Sequence, residues 1–113
     1  MHEITLVSAV IQAVTAKVAE CNVRKVLQVN LTIGAMTNVD HLTLTLAFET
    51  CTQGTALAGA QIAIEEVPVK GKCGECACES LIINYKFQCP HCQSRAITVI
   101  AGREFYIKDI QVE

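Results

Sequence analysis

Apolar and polar positions alternate along this chain with two different periods, and the change of period marks its elements. Between residues 3 and 20, Ile4, Val7, Ile11, Val14 and Val18 recur at spacings of three and four. Leu6 and Val10 widen that stripe, while Glu3, Gln12, Lys17 and Glu20 fall elsewhere, so the pattern predicts an amphipathic helix stopped at Cys21-Asn22. Residues 23–33 switch to strict alternation. Leu27, Val29, Leu31 and Ile33 share one face and Gln28, Asn30 and Thr32 the other, which predicts a half-buried strand ended by Gly34.

Residues 38–52 give conflicting signals. Leu42, Leu44, Leu46 and Phe48 alternate with Thr43, Thr45 and Ala47, which by period reads as strand. Asn38 or Asp40 as N-cap, Val39 as staple and Gly54 as stop read instead as helix. The residues alone leave both open. Residues 60–67 predict a strand with Ile62 and Ile64 inward, ended by Pro68. Pro68, Gly71 and Gly74 then mark a break in composition. Beyond it, Leu81 to Phe87 and Arg95 to Ile100 read as short strands, and residues 101–103 as a turn. Phe105 to Val112 is too long and apolar for the short segment preceding it. It is expected to return to the sheet of the first part, which makes the intervening residues an insertion.

The 113 residues suit one domain plus a small module. Hydrophobic residues make up 51% but aromatics only 4%, so the core is expected to be aliphatic. A formal charge of -2 argues against a basic nucleic-acid surface. Seven cysteines would suit a secreted disulfide framework, but Met1-His2-Glu3 is no cationic leader, and Lys17 and Glu20 interrupt the apolar run. No stretch reads as a membrane span. A reducing cytoplasm is the expected location, where cysteines bind metal or remain thiols.

The most specific motif is Cys73-Gly74-Glu75-Cys76, twelve residues, then Cys89-Pro90-His91-Cys92. Two Cys-x-x-Cys turns at this spacing aim four thiolates at one tetrahedral ion, which suits Zn²⁺ and leaves no open position for chemistry. Coordination also replaces the core that so short a segment lacks. Cys78 is a rival sulfur, read here as a spare thiol, and His91 as a loop histidine. Cys21, His41 and Cys51 read as fill.

Met1-His2-Glu3 is a second constellation. A free α-amine, the next amide and an imidazole at position 2 chelate a square-planar ion such as Ni²⁺ or Cu²⁺. Starting a helix here frees the amides, because the first four N–H groups of a helix have no intrahelical partner. Catalytic carboxylate pairs, an arguable Ser/His/Asp set and a phosphate loop are all missing from the motifs, so no enzyme is expected. Two other readings stand beside a metal carrier: a zinc-ribbon module binding protein or nucleic acid, and a thiol oxidoreductase.

Taken together, Met1-His2-Glu3, Ile33-Gly34, Met36, Val39-Asp40, Ala47-Phe48-Glu49, Ile64 to Pro68, Phe87 to Cys92, Gly102-Arg103-Glu104 and Ile107 to Glu113 resemble, in that order, the HypA/HybF family of hydrogenase-maturation nickel metallochaperones. The resemblance implies an α+β fold of two helices on a three-stranded sheet, with residues 38–52 helical. A nickel-binding part covers 1–68 and 103–113, with a four-cysteine, zinc-ribbon-like module inserted over 69–102. It implies Ni²⁺ as transient cargo on Met1, His2 and the backbone around Glu3, and structural Zn²⁺ on Cys73, Cys76, Cys89 and Cys92. The implied partners are the GTPase HypB and the [NiFe]-hydrogenase large-subunit precursor, with urease served by some members. A homodimer is left open. Cys78 and the scarcity of acidic residues early in the first helix depart from the family.

Overall fold

The computed structural model describes residues 3–113. Helix α1 (Glu3–Cys21) leads into strand β1 (Val26–Gly34), a 3₁₀ turn (Ala35–Thr37), helix α2 (His41–Cys51) and strand β2 (Gln61–Val67). Four strands follow: β3 (Lys70–Cys73), β4 (Glu79–Leu81), β5 (Ile97–Ala101) and β6 (Phe105–Val112). They form two three-stranded sheets, ordered β2-β1-β6 and β4-β3-β5.

In the first sheet β1 is central. It pairs in parallel with β2, Val29 opposite Ile62 and Leu31 opposite Ile64. A parallel pair needs a crossover, which α2 supplies. On its other side β1 pairs antiparallel with β6, Leu31 opposite Ile107 and Ile33 opposite Phe105. The expected return of the last strand to the first sheet is therefore found.

Both helices cover one face of this sheet. Val7, Val10, Val14 and Val18 of α1, Leu44 and Phe48 of α2, and Val26, Val29, Leu31 and Ile33 of β1 are buried in one cluster. Ile62, Ile64, Phe105, Ile107 and Ile110 pack against its edges. The core is aliphatic apart from Phe48 and Phe105, as the composition predicts.

Residues 38–52 resolve as helix because their ends favour it. The Asp40 carboxylate accepts hydrogen bonds from the Leu42 and Thr43 N–H groups at 3.0 and 3.2 Å, satisfying two of the unpaired donors of the first turn. Val39 and Leu44, at the staple positions before and inside the helix, both pack into the core. The threonines that suggest a strand bond back into the helix: Thr45 to the His41 carbonyl at 2.8 Å and Thr50 to that of Leu46 at 3.1 Å.

Several details differ from the sequence reading. The buried stripe of α1 runs along Val7, Val10, Val14 and Val18, and Ile4 is 65% exposed. A register shift between Val26 and Gln28 turns Val26 inward and leaves Leu27 exposed, so the alternation starts one residue late. Lys70–Cys73 forms a strand where the sequence shows only a break, because a glycine and two lysines hide its pattern. Strand β4 stops at Leu81 rather than continuing to Phe87, since Asn84 and Tyr85 adopt positive φ of 54° and 58°. Finally, α1 is by length and hydropathy apolar enough to cross a membrane, contrary to the sequence reading, but its valine face is committed to the sheet.

The two sheets meet at a tight crossing. The Gly34 N–H donates to the Glu104 carbonyl at 2.7 Å, and that of Met36 to the Gly102 carbonyl at 2.8 Å. A Cβ on Gly34 would overlap the carbonyl carbon and oxygen of Gly102, so only glycine lets these backbones approach. The radius of gyration is 17.7 Å over extents of 55 × 25 × 16 Å, against about 13 Å for a compact chain of this length. The second sheet thus extends the molecule instead of enlarging its core.

Candidate metal centre

The second sheet presents two cysteine turns to each other. Strand β3 ends on Cys73, and the turn through Cys76 lies between β3 and β4. The turn through Cys89 and Cys92 precedes β5, and the Gly74 N–H donates to the Ala96 carbonyl at 2.7 Å, joining the first turn to the lead-in of that strand. Cys73 Sγ and Cys92 Sγ lie 3.6 Å apart, Cys76 Sγ and Cys89 Sγ 3.5 Å. All four sulfurs fall within 4.8 Å of one another.

That geometry fits a tetrahedral ion. Four thiolates at the usual Zn–S distance of about 2.3 Å have sulfur–sulfur edges of about 3.8 Å, close to the pairs observed. The turns also supply donors to the sulfurs. The Glu75 and Cys76 N–H groups reach Cys73 Sγ at 3.4 and 3.5 Å. Donation from the Cys76 and Glu75 backbones, outweighing burial, brings the Cys73 thiol down to about 6. Backbone N–H groups of Cys92 and His91 likewise lower Cys89. Cys76 and Cys92 move the other way. For Cys76 the N–H of Cys78 opposes the rise, but a hydrogen bond shared with Cys89 and burial prevail. For Cys92 the N–H of Ser94 is outweighed by burial and the contacts with Cys73 and Cys89. The proton-poor sulfurs are the buried ones, and each pairs with a proton-rich partner toward solvent. Thiols sharing protons so closely are poised to exchange them for a cation.

Each predicted zinc ligand is therefore found in one cluster. Cys78 lies outside this mutual set of four, and His91 is exposed on its turn. Cys21 and Cys51 are exposed at helix ends.

The other predicted constellation is only partly visible. Met1 and His2 lie outside the described residues. Glu3 opens α1, so its backbone N–H is among those without an intrahelical partner. Its carboxylate accepts a hydrogen bond from the Asp40 N–H at 3.2 Å, tying the start of α1 to the cap of α2. Beside that cap, His41 Nε2 and Glu66 Oε2 lie 3.4 Å apart. The beginnings of both helices thus gather polar groups at one end of the first sheet. Sequence reasoning finds Asp40 as a cap but treats His41 as fill. No local pattern links Glu3 to a position 37 residues away.

Comparison with known proteins agrees with this arrangement. The family model described as "Hydrogenase/urease nickel incorporation, metallochaperone, hypA" matches residues 1–112. A "Hydrogenase maturation factor HypA" from Desulfitobacterium hafniense (strain DSM 10664 / DCB-2) is 40% identical, covering 100% of this chain and 99% of the relative. The protein of the same name from Geobacter sulfurreducens is 37% identical with both chains fully covered. Among solved structures, that of the nickel metallochaperone HypA from Helicobacter pylori is similar in fold, with a TM-score of 0.69 at 22% identity over 99% of this chain and 97% of that one. A second solution structure of a HypA protein gives 0.75, also at 22% identity, over 100% and 97%. With four cysteines gathered in its second sheet and two helices on its first, this chain belongs to the HypA family of hydrogenase and urease nickel-incorporation metallochaperones.

Proposed function

We propose that the chain binds Ni²⁺ at its N-terminus and delivers it to the [NiFe]-hydrogenase large-subunit precursor. Its ligands in this reading are the amine of Met1, the amide and imidazole of His2, and the amide of Glu3. The observation that carries it is the helix start at Glu3 in a chain of this family. An amide nitrogen binds a square-planar cation only after losing its proton, and here that loss breaks no helix hydrogen bond. The positive end of the helix dipole favours the resulting anion. The Glu3 carboxylate is engaged with the Asp40 N–H, and ligation in this reading is left to nitrogen.

A carrier must also release its cargo. Ligands at a chain terminus detach one nitrogen at a time, so an acceptor can replace them stepwise. The GTPase HypB assists the transfer in this reading, a urease precursor is a second client, and the setting is the cytoplasm. Residues 69–102 act as an inserted zinc module between the parts 1–68 and 103–113. Cys73, Cys76, Cys89 and Cys92 hold Zn²⁺ as a closed structural centre, since four thiolates leave no position open.

The test is nickel binding by the native chain against a chain extended by Gly-Ser before Met1, and against His2→Ala. Both changes are expected to abolish tight nickel binding while leaving zinc content unchanged. Undiminished affinity in the extended chain sinks the terminal chelate. Binding also requires the α-amine to be deprotonated, so affinity should fall as pH drops below about 8, the ordinary value of that group.

The two rival readings each meet a contrary observation. A nucleic-acid surface would need an excess of positive charge, and this chain carries a formal charge of -2, with Lys70 of the second sheet paired to Glu79 at 2.9 Å. A dithiol oxidoreductase needs an exposed nucleophilic sulfur, and Cys73, whose thiol is brought down to about 6, is 2% exposed.

A further inference from the structure

Four strands stand at the edges of the two sheets, β2 and β6 in the first, β4 and β5 in the second. A free edge offers backbone donors and acceptors to another chain unless it is short, irregular or charged. β4 has three residues. Along β5 and β6 the register slips. β2 differs: from Gln61 to Val67 it follows β1 without a shift. Glu65 and Glu66 place charge on its second half, which leaves Gln61 to Ile64 as a regular, uncharged edge.

A cleft of about 530 Å³ borders that same half, with Gln61 and Ile62 in its lining. Buried Phe48 and Ala60 and half-buried Ile62 give it an apolar floor. Helix α2 forms the facing wall through Phe48 and exposed Glu49. An extended chain lying between a strand edge and a helix finds backbone partners on one side and an apolar seat on the other, which is the geometry of β-strand addition. Glu49 supplies the sole charge in the lining, and among the described residues it enters no ion pair. That carboxylate calls for a cation on whatever fills the cleft.

We propose that the free edge of β2 and this cleft form one groove, which takes an extended segment of a partner polypeptide as an added strand. The segment pairs with Gln61 to Ile64, seats an aliphatic side chain on Phe48 and Ile62, and sets a lysine or arginine beside Glu49. A second copy of this chain is the poorer occupant. Paired edge to edge, both copies would bring Glu49, Glu65 and Glu66 to one interface, where like charges repel. Phe48 and Glu49 lie more than two helical turns along α2 from the Asp40 cap that meets Glu3. A segment held in the groove therefore leaves the start of α1 uncovered.

The experiment titrates the full-length, nitrogen-15-labelled chain with the acetylated and amidated peptide Lys-Val-Thr-Val-Lys-Val-Thr. Saturable amide shifts are expected at Gly59, at Gln61 to Ile64 and in the last turns of α2. Shifts spread elsewhere, or none up to the solubility of the peptide, overturn the groove. Two further probes carry N-methyl groups on alternate amides. Only one alternate set of amides faces a neighbouring strand, so one methylated probe should lose binding and the other keep it. Equal behaviour of the two overturns strand addition. Glu49→Lys, an exposed change, should weaken the lysine peptide about three-fold, the scale of an exposed ion pair, and strengthen a glutamate version of it. Unchanged affinities overturn the charge assignment. Sedimentation of the chain without peptide covers the remaining case. A dimer whose concentration-dependent shifts map to Gln61 to Ile64 would put a second copy in the groove and overturn the partner segment.

Discussion

Gly34 shows how a single hydrogen in place of a methyl group can hold a fold together. Its φ of -76° and ψ of 142° are open to any residue, so conformation does not demand glycine there. Space does. A Cβ would overlap the carbonyl carbon and oxygen of Gly102 and meet the Arg103 nitrogen at 2.6 Å, all main-chain atoms at a crossing fixed by hydrogen bonds. Gly34→Ala is therefore expected to cost about 3 kcal/mol, the upper end of overpacking effects. The urea midpoint of the zinc-loaded variant measures this, and a loss below about 0.5 kcal/mol would show that the crossing yields. The sequence pattern places Gly34 at a strand end and misses the reason, because the atoms it meets come from Gly102 and Arg103, far along the chain. The four cysteines are legible for the opposite reason. Their chemistry is written in spacings of three, and one turn suffices to express it.

Among the elements, α2 is the one whose identity its own residues contest. The stretch Leu42 to Phe48 alternates like a strand, and its threonines have poor helix propensity. What decides is the pair of ends and the depth of two side chains. Leu44 and Phe48, four apart, are buried in the core, whereas Leu42 and Leu46 are more than half exposed. The alternation is accidental: two of its four apolar positions face solvent. A helix with weak internal preference depends on its cap. Asp40→Ala removes the acceptor for the Leu42 and Thr43 N–H groups and should cost about 1 kcal/mol, with Asp40→Asn close to wild type. Urea unfolding of the three chains checks this, and equal losses in both variants would mean that the negative charge, not the cap, is what matters. The strand at Lys70–Cys73 is harder to read, because a glycine and two lysines leave it no hydrophobic alternation, whereas Ile97–Ala101 overlaps the strand expected from Arg95 to Ile100.

Viewed whole, the molecule divides its stability between two different sources. Every residue of the buried cluster, from Val7 to Ala60 with its packed neighbours to Ile110, lies on α1, β1, α2, β2, β6 or the loops joining them. The second sheet contributes none of them, and its own buried apolar side chains are Cys73, Ile82 and Cys89. Two of those three are sulfurs of the metal centre. A unit this small, without a core, draws its folding free energy from metal binding. Zinc removal is accordingly expected to unfold the second sheet while sparing the first. Hydrogen exchange on the chelated chain is the suitable measurement. The Val29, Leu31 and Ile33 amides of central β1 should keep their protection, and those from Gly71 to Val99 should lose it. The crossing at Gly34 and Gly102 marks the expected boundary, because β5 runs into β6 there with a single turn between them. Loss of protection in β1 on chelation would show that the two sheets fold as one cooperative unit. Protection persisting in β3 and β5 would show that the second sheet stands without its metal. Retained helix content with a melted second sheet would leave the start of α1, where Glu3 meets Asp40, intact in the zinc-free chain. Nickel affinity at the N-terminus should then survive zinc removal, which separates a carrier site from a structural one in a single titration.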